Sequence, residues 1–227
     1  MDKRVIVAID GPAGAGKSTI ARRLASRLGY LYIDTGAMYR AVALWALRER
    51  IPLDDAPRLE QLALHAVISL DEGSITLNGE DVTTAIRAPE IAGAASRVSA
   101  VSAVRRAMVQ QQQRLGAAAS AVMEGRDIGT VVFPNAAVKI YLDADPRVRA
   151  QRRLLDLQAR GESPSLDEVE LDIRQRDERD RTRADSPLMQ APDAIYFDST
   201  GLSADDVERG LLRIVRERTS NGKEIQR

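Results

Sequence analysis

RVIVAIDGPAGAGKSTIARRLASRLG, residues 4–29, holds three local structures in succession. Arg4 to Asp10 is an almost unbroken run of branched apolar residues, the pattern of a strand covered on both faces of a parallel sheet. Gly11-Pro12-Ala13-Gly14-Ala15-Gly16-Lys17-Ser18-Thr19 matches G-x-x-x-x-G-K-[ST] at every fixed position. Apolar residues at Ile20, Leu24 and Leu28 then predict a helix stopped at Gly29. Strand, glycine loop and helix together form a phosphate cradle. The glycines let backbone N–H groups converge where a side chain would block them. The helix N-terminus adds the positive end of its dipole. Lys17 reaches toward the β- and γ-phosphates, the Ser18 hydroxyl suits Mg²⁺, and Thr19 supports the α-phosphate side.

The motif specifies phosphate binding but not the reaction. A GTPase of this class needs an N-K-x-D base reader. The four lysines, Lys3, Lys17, Lys139 and Lys223, leave no position for one. With no cysteine, cysteine nucleophiles and thiolate zinc sites are excluded; the single histidine, His65, has no second ligand type near it, which argues against triads and histidine metal sites. His65 reads as a structural residue. A net charge of zero gives no sign of a nucleic-acid binder. Between Pro146 and Arg183 ten arginines face nine acidic residues with no aromatic among them, a poor footprint for DNA or RNA. The N-terminus runs straight into the first strand without a signal-peptide core, and no apolar run approaches membrane-spanning length. The expectation is a cytoplasmic protein with no membrane or nucleic-acid partner.

Further along, Tyr30 to Ile33 predicts a second strand ending in Asp34-Thr35-Gly36. This is either a helix cap or a site where Thr35 offers a hydroxyl and Arg40 a fork for phosphate. The following helix carries Val42, Trp45 and Leu47 and ends before Pro52, with Trp45 read as core. Val67–Leu70 and Ser74–Leu77 alternate apolar and polar residues around the Asp71-Glu72-Gly73 turn, which predicts an antiparallel hairpin outside the parallel sheet. A helical stretch follows from Glu90 to about Leu115. Ser96 and Arg105 do not share a face of one continuous helix, so a bend or break is required for them to converge.

Ala121–Glu124 predicts a strand leading into Gly125-Arg126-Asp127. Arg126 and Asp127 are either a recognition pair for phosphate and amine or an internal ion pair. Val138–Leu142 predicts another buried strand, and Asp145-Pro146 opens a helix carrying Arg149, Arg152 and Arg153 that stops at Gly161. Arg176, Asp180 and Arg183 fall at i, i+4 and i+7 on a later helix, one face of two guanidiniums around a carboxylate. The alternative is a solvated helix with ordinary ion pairs. Ala194–Asp198 predicts the fifth strand, Ser203 to Asp206 a capping box on the last helix, and the tail after Thr219 a frayed end.

Four segments, IDGPAGAGKST, DTGAMYR, GRDIGTVVFP and RDERDRTR, resemble those of the bacterial cytidylate kinases, in the nucleoside monophosphate kinase group. The resemblance runs from Val5 to about Arg218. It implies an α/β fold: a P-loop kinase with a five-stranded parallel sheet flanked by helices. To this it adds an inserted monophosphate-binding subdomain with a small antiparallel sheet, and a mobile lid. The implied organisation is one kinase domain over 1–227. Its core lies at about 1–35, 116–146 and 184–219, the insertion at about 36–115, and the lid with its following helix at about 147–183. The implied activity is transfer of the γ-phosphoryl group of ATP to CMP or dCMP with Mg²⁺, by a monomer. ATP contacts are implied at Gly11 to Thr19. CMP contacts are implied at Thr35, Arg40, Ser96, Arg105, Arg126, Asp127, Arg176, Asp180 and Arg183. Lys17, Arg126, Arg152 and Arg153 are implied as catalytic, the last two as lid arginines. Ser18 stands where some members carry glycine and restores the usual magnesium hydroxyl. Kinases for other small acceptors, such as UMP or shikimate, are the neighbouring alternative.

Overall fold

The computed structural model describes residues 4–71 and 73–224. The path of Met1 to Lys3, Glu72 in the predicted turn, and the last three residues of the tail lie outside the described residues. Strand β1 (Ile6–Asp10) is buried along its whole length and pairs in parallel with β6 (Ala121–Gly125) on one side and β7 (Val138–Asp143) on the other. β2 (Leu31–Asp34) extends the sheet beyond β6, and β8 (Ile195–Asp198) extends it beyond β7. The order β2-β6-β1-β7-β8 is parallel throughout. All five C-terminal ends therefore lie along one edge, where open α/β sheets take their ligands.

The period of two along β1 sorts its side chains between two apolar layers. Val7 and Ile9 face α1 (Lys17–Leu28) and α8 (Ala204–Glu224), meeting Ile20, Leu24, Leu211 and Val215. Ile6 and Ala8 face the other way, toward Ile33, Met123 and a wide helical turn at Ile128–Val132. Gly29 closes α1 in the left-handed region at φ 65, as its position after the last apolar residue predicts.

Between β2 and β6 the chain leaves the sheet and builds its own apolar core. It comprises α2 (Thr35–Arg48), α3 (Ala56–His65), the antiparallel strands β3 (Ile68–Asp71), β4 (Ser74–Leu77) and β5 (Glu80–Asp81), α4 (Pro89–Val98) and α5 (Ser102–Ala118). The predicted hairpin is thus a three-stranded sheet. Asn78 and Gly79, both at positive φ, turn the chain into β5, the turn that an Asn-Gly pair favours. The helix expected over Glu90 to Leu115 is two helices, because Ser99 caps the first, Ala100 turns the chain and Val101 is extended. Trp45 packs against this core and His65 is exposed.

β7 leads into α6 (Pro146–Gln158), capped by Asp145, and α7 (Leu166–Thr182) returns antiparallel to it behind a Ser165–Glu168 capping box. α6 ends three residues before Gly161, which takes the left-handed turn that separates the pair. At α8 the Ser203 hydroxyl accepts from the Asp206 N–H at 3.1 Å, but Asp206 turns to the hydroxyl rather than to the Ser203 backbone, so only half of the expected box forms. The helix continues through Glu224, past the point at which fraying was expected.

Candidate active site

The loop between β1 and α1 is shaped by its glycines. Gly11 sits at φ +148, and a Cβ there would lie 2.0 Å from the Leu142 carbonyl oxygen on β7. Gly16 is the N-cap of α1 at φ 87 and provides no side chain, so the first N–H groups of the helix point past it without a side-chain cap. Lys17 is buried and its Nζ donates to the Pro12 carbonyl at 2.6 Å. Burial, with the Arg126 charge next in size, pulls its pKa from 10.5 down to about 7; Glu124 works in the opposite direction. Burial also pushes the Glu124 carboxyl up, with Asp34 adding to it.

A cavity of about 500 Å³ opens from this loop across the sheet edge to the α2, α5 and α7 surfaces. That size suits a small organic ligand. Ala13 to Thr19 form one end. Thr35, Arg40, Arg105, Arg126, Asp127, Arg176, Asp180 and Arg183 form the other, and Arg152 and Arg153 line the α6 side. Of the residues singled out from sequence, Gly11, Pro12 and Ser96 do not line it. Eight cationic side chains and six carboxylates surround the space, a surplus of positive charge that suits an anion.

Each residue at the far end of the cavity is held by a traceable contact. Asp34 caps α2 through the Ala37 N–H at 2.8 Å, the cap that the Asp-Thr-Gly sequence allows, and also pairs with Arg40 at 3.1 Å. Thr35 donates its hydroxyl to the Glu124 carbonyl at 2.6 Å. Arg126 and Asp127 do not pair with each other. Arg126 Nε donates to Asp180 Oδ2 at 3.0 Å, while Asp127 accepts from Arg105 and lies 3.9 Å from Arg183 Nη2. The break between α4 and α5 lets Arg105 reach Asp127, and its Nη1 donates to the Ser99 carbonyl inside that break at 3.2 Å. The guanidinium also stacks 5.4 Å over the Tyr39 ring. Burial would push the Asp180 carboxyl up, but Arg126, Arg176 and Arg183 outweigh it and hold it below its ordinary value. Arg176 is drawn down to about 10 by burial and by the neighbouring Arg126.

Several of these groups keep unpartnered polar atoms despite full burial: Tyr39 OH, Arg40 Nε, Arg105 Nε, Arg176 Nε and Arg183 Nη2. Buried donors without partners are uncommon in proteins, and here five come from residues that line one cavity. Ser96 on α4 is buried with its own Oγ unpartnered, outside the cavity lining. The two arginines of α6 differ. Arg152 donates to Ser199 Oγ at 3.0 Å and to its carbonyl at 2.8 Å, fixed to the loop after β8. Arg153 faces the cavity with its pKa lowered by burial and by Arg160.

The family model described as cytidylate kinase matches residues 7–217 of this chain. The chain belongs to the cytidylate kinase family. It is 58% identical over 225 residues to a cytidylate kinase from Solibacter usitatus (strain Ellin6076), covering 98% of this chain and 97% of that one. A cytidylate kinase from Geobacter sp. (strain M21) is 48% identical over 222 residues, covering 96% of this chain and 95% of that one. Among solved structures, an uncharacterized protein from Eubacterium ventriosum ATCC 27560 superposes with a TM-score of 0.52 at 11% identity, over 93% of this chain and 98% of that one. At that identity the likeness shows the fold alone.

Sequence reasoning missed several residues of this site. Tyr39, Asp34 and Glu124 line the cavity, and each stood in a quoted motif or strand whose chemistry was assigned to its neighbours. Asp10, buried under the glycine loop, accepts from the Ile128 and Gly129 N–H groups at 2.8 and 2.7 Å and so ties β1 to the turn that carries Arg126 and Asp127. Burial drives its carboxyl up to about 6. Its position as the last residue of a buried strand was the available signal.

Proposed function

We infer that this protein transfers the γ-phosphoryl group of ATP to CMP or dCMP, giving CDP or dCDP. The observation that carries the reading is a single cavity with a phosphate-binding glycine loop at one end and a cluster of arginines and aspartates with unpartnered donors at the other. In this reading Gly14 to Thr19 and Lys17 take the ATP phosphates, while Arg40, Arg126, Arg176 and Arg183 gather the CMP phosphate and ribose side. Asp127, Asp180, Ser96 and Arg105 read the rest of the nucleotide. Residues from about 36 to 115 act as the monophosphate-binding subdomain, and those from about 147 to 183 as the lid with its following helix.

The acceptor phosphate is itself a competent nucleophile, so no general base is required. The chain's contribution is alignment and charge neutralisation: the first-turn N–H groups of α1 would hold the donor, and Lys17 and Arg126, both in the cavity wall, would offset the charge that spreads in transfer. Arg153, unpinned, closes from the lid, and closure excludes the water that would otherwise hydrolyse ATP. Mg²⁺ fits the oxygen donors present, with the Ser18 hydroxyl on α1 and the Asp34 and Glu124 carboxylates in the same wall. This ion binds through few protein ligands plus phosphates and water. Held there, it would supply neutralisation of phosphate charge. Among the described residues no helix is long and apolar enough to cross a membrane. The reading is completed by a cytoplasmic monomer acting on free nucleotides, without nucleic acid.

A coupled ADP-release assay with CMP, dCMP, UMP, AMP and shikimate tests the assignment. Turnover with the cytidine nucleotides well above the others is expected. ATP turnover that depends on another acceptor, or on added RNA or DNA, would overturn it.

A further inference from the structure

Ala13, in the middle of the glycine loop, has both its backbone polar groups engaged by residues outside the ligand-facing wall. Its N–H donates to Asp177 Oδ1 at 2.9 Å, and its carbonyl accepts from Arg149 Nη1 at 2.9 Å. The same Nη1 donates to Asp177 Oδ2 at 2.6 Å, closing a ring of three residues from the loop, α6 and α7. Arg149 Nε is anchored in turn on the Ala144 carbonyl at 3.0 Å, just beyond β7. The Asp177 and Arg149 side chains are only 2% and 5% exposed. The Ala13 methyl sits in a small apolar cluster with Ala150, Val169 and Ile173 from the same two helices. At Gly14 a Cβ would come within 2.8 Å of the Arg149 carbonyl oxygen, so the loop is also in close backbone contact with α6.

Gly14 and Gly16, at φ +76 and +87, have little steric preference of their own to hold the loop open. The orientation of the N–H groups from Gly14 onward therefore depends on what grips the chain immediately before them. We propose that Asp177, acting with Arg149, is a positioning residue for the ATP triphosphate: it holds Ala13 so that the following N–H groups of the loop converge on the phosphates. This deepens the reading of the site as an ATP-dependent kinase and rests on it. Asp177 also lies between Arg176 and Asp180 on α7, so the helix that presents acceptor-side groups is fastened to the donor loop within a few residues.

Asp177→Asn tests the proposal. The amide can still accept from the Ala13 N–H but turns donors toward Arg149, which opposes the guanidinium. Losing one charged hydrogen bond at this point is expected to raise KM for ATP about tenfold or more. KM for CMP should change less than twofold, and ATP affinity in the absence of acceptor, by calorimetry, should fall in parallel. Arg149→Lys is the second variant. It keeps the charge but cannot bridge Ala144, Ala13 and Asp177 together, and the same selective rise is expected. In the double variant the two effects should be clearly less than additive. An unchanged KM for ATP in folded variants, with any loss confined to kcat, would overturn the proposal. So would loss of the folded state in both, which would make the pair structural only. Failure of the unaltered protein to phosphorylate cytidine nucleotides is a separate result. It removes the acceptor assignment and leaves the ATP-affinity comparison to judge Asp177.

Discussion

Replacing Lys17 by methionine is expected to make this protein more stable while stopping phosphoryl transfer. The ammonium is buried against its own loop, with Arg126 and Arg176 opposing its charge and Glu124 and Asp177 favouring it. The balance lowers its pKa from 10.5 to about 7, equivalent to about 5 kcal/mol of disfavoured charge when the group is protonated in both folded and unfolded chains. Methionine keeps the length of the side chain without the charge. Part of the gain is lost because Glu124 gives up a cation. A net gain of about 1–3 kcal/mol at pH 7 is expected.

The pH dependence identifies the cause. Between about 7 and 10.5 the unfolded chain keeps the Lys17 proton and the folded chain releases it, so stability of the unaltered protein rises with pH over that window. The advantage of Lys17→Met is then full below pH 7 and fades as pH approaches 10.5. Urea unfolding at pH 6, 7, 8 and 9, compared at unchanged m-value, measures it. A destabilised variant, or a stability difference that stays constant from pH 6 to 9, would refute the reasoning. Transfer to CMP should fall by at least about a hundredfold in the same variant, the usual scale for losing a preorganised charge in phosphoryl transfer.

Three further outcomes are expected. Asp180→Ala removes the carboxylate between Arg126 and Arg183. It should narrow the ratio of kcat/KM for CMP over UMP by about tenfold, since a buried polar reader costs about 1–3 kcal/mol when unpaired; an unchanged ratio counts against that contact. Gly11→Ala forces a Cβ to 2.0 Å from the Leu142 oxygen, at a φ that side chains rarely adopt. It should cost at least about 4 kcal/mol, seen as loss of the cooperative thermal transition or of soluble yield. The Asp10 carboxyl, raised from 3.8 to about 6, should titrate near pH 6 by carboxyl-carbon NMR. The stability it contributes is fully present below pH 3.8 and lost as pH rises through about 6, so a midpoint under 4.5 would contradict its burial.

The parts legible in the sequence are those whose cause is local. The β1 run, the glycine loop and the Gly29 stop follow from residues within a few positions of each other, and the strand of Ala121–Glu124 led correctly to the Gly125-Arg126-Asp127 corner. What was not legible depends on partners far along the chain. Ser99 to Val101 contain neither glycine nor proline, so nothing local announces the break between α4 and α5. The break is held by Arg105 reaching back to Ser99 and across to Asp127. The pairing of Arg126 with Asp180 rather than with adjacent Asp127 spans 54 positions, and that of Asp177 with the Ala13 N–H spans 164. The third strand of the small sheet was within reach, since Asn78-Gly79 is a strong hairpin signal, but Glu80 and Asp81 carry no apolar alternation to mark them as a strand.

The base-free in-line transfer proposed above would place unusual weight on geometry, because a displacement of about 1 Å can cost about a hundredfold. The structure answers this with carboxylates that do not face the ligand. Asp10 ends the strand that enters the glycine loop and grips the two N–H groups that follow Arg126 and Asp127. Asp177 grips the loop itself from the helix that carries Arg176 and Asp180. The glycine loop, the Arg126–Asp127 corner and α7 are thereby joined pairwise through hydrogen bonds. The apolar contacts of the sheet faces, being non-directional, cannot fix orientation this closely. Arg153 and the α6–α7 turn carry no such attachment to the glycine loop, so under the proposed lid role movement there would leave the loop and the arginine cluster joined as they are.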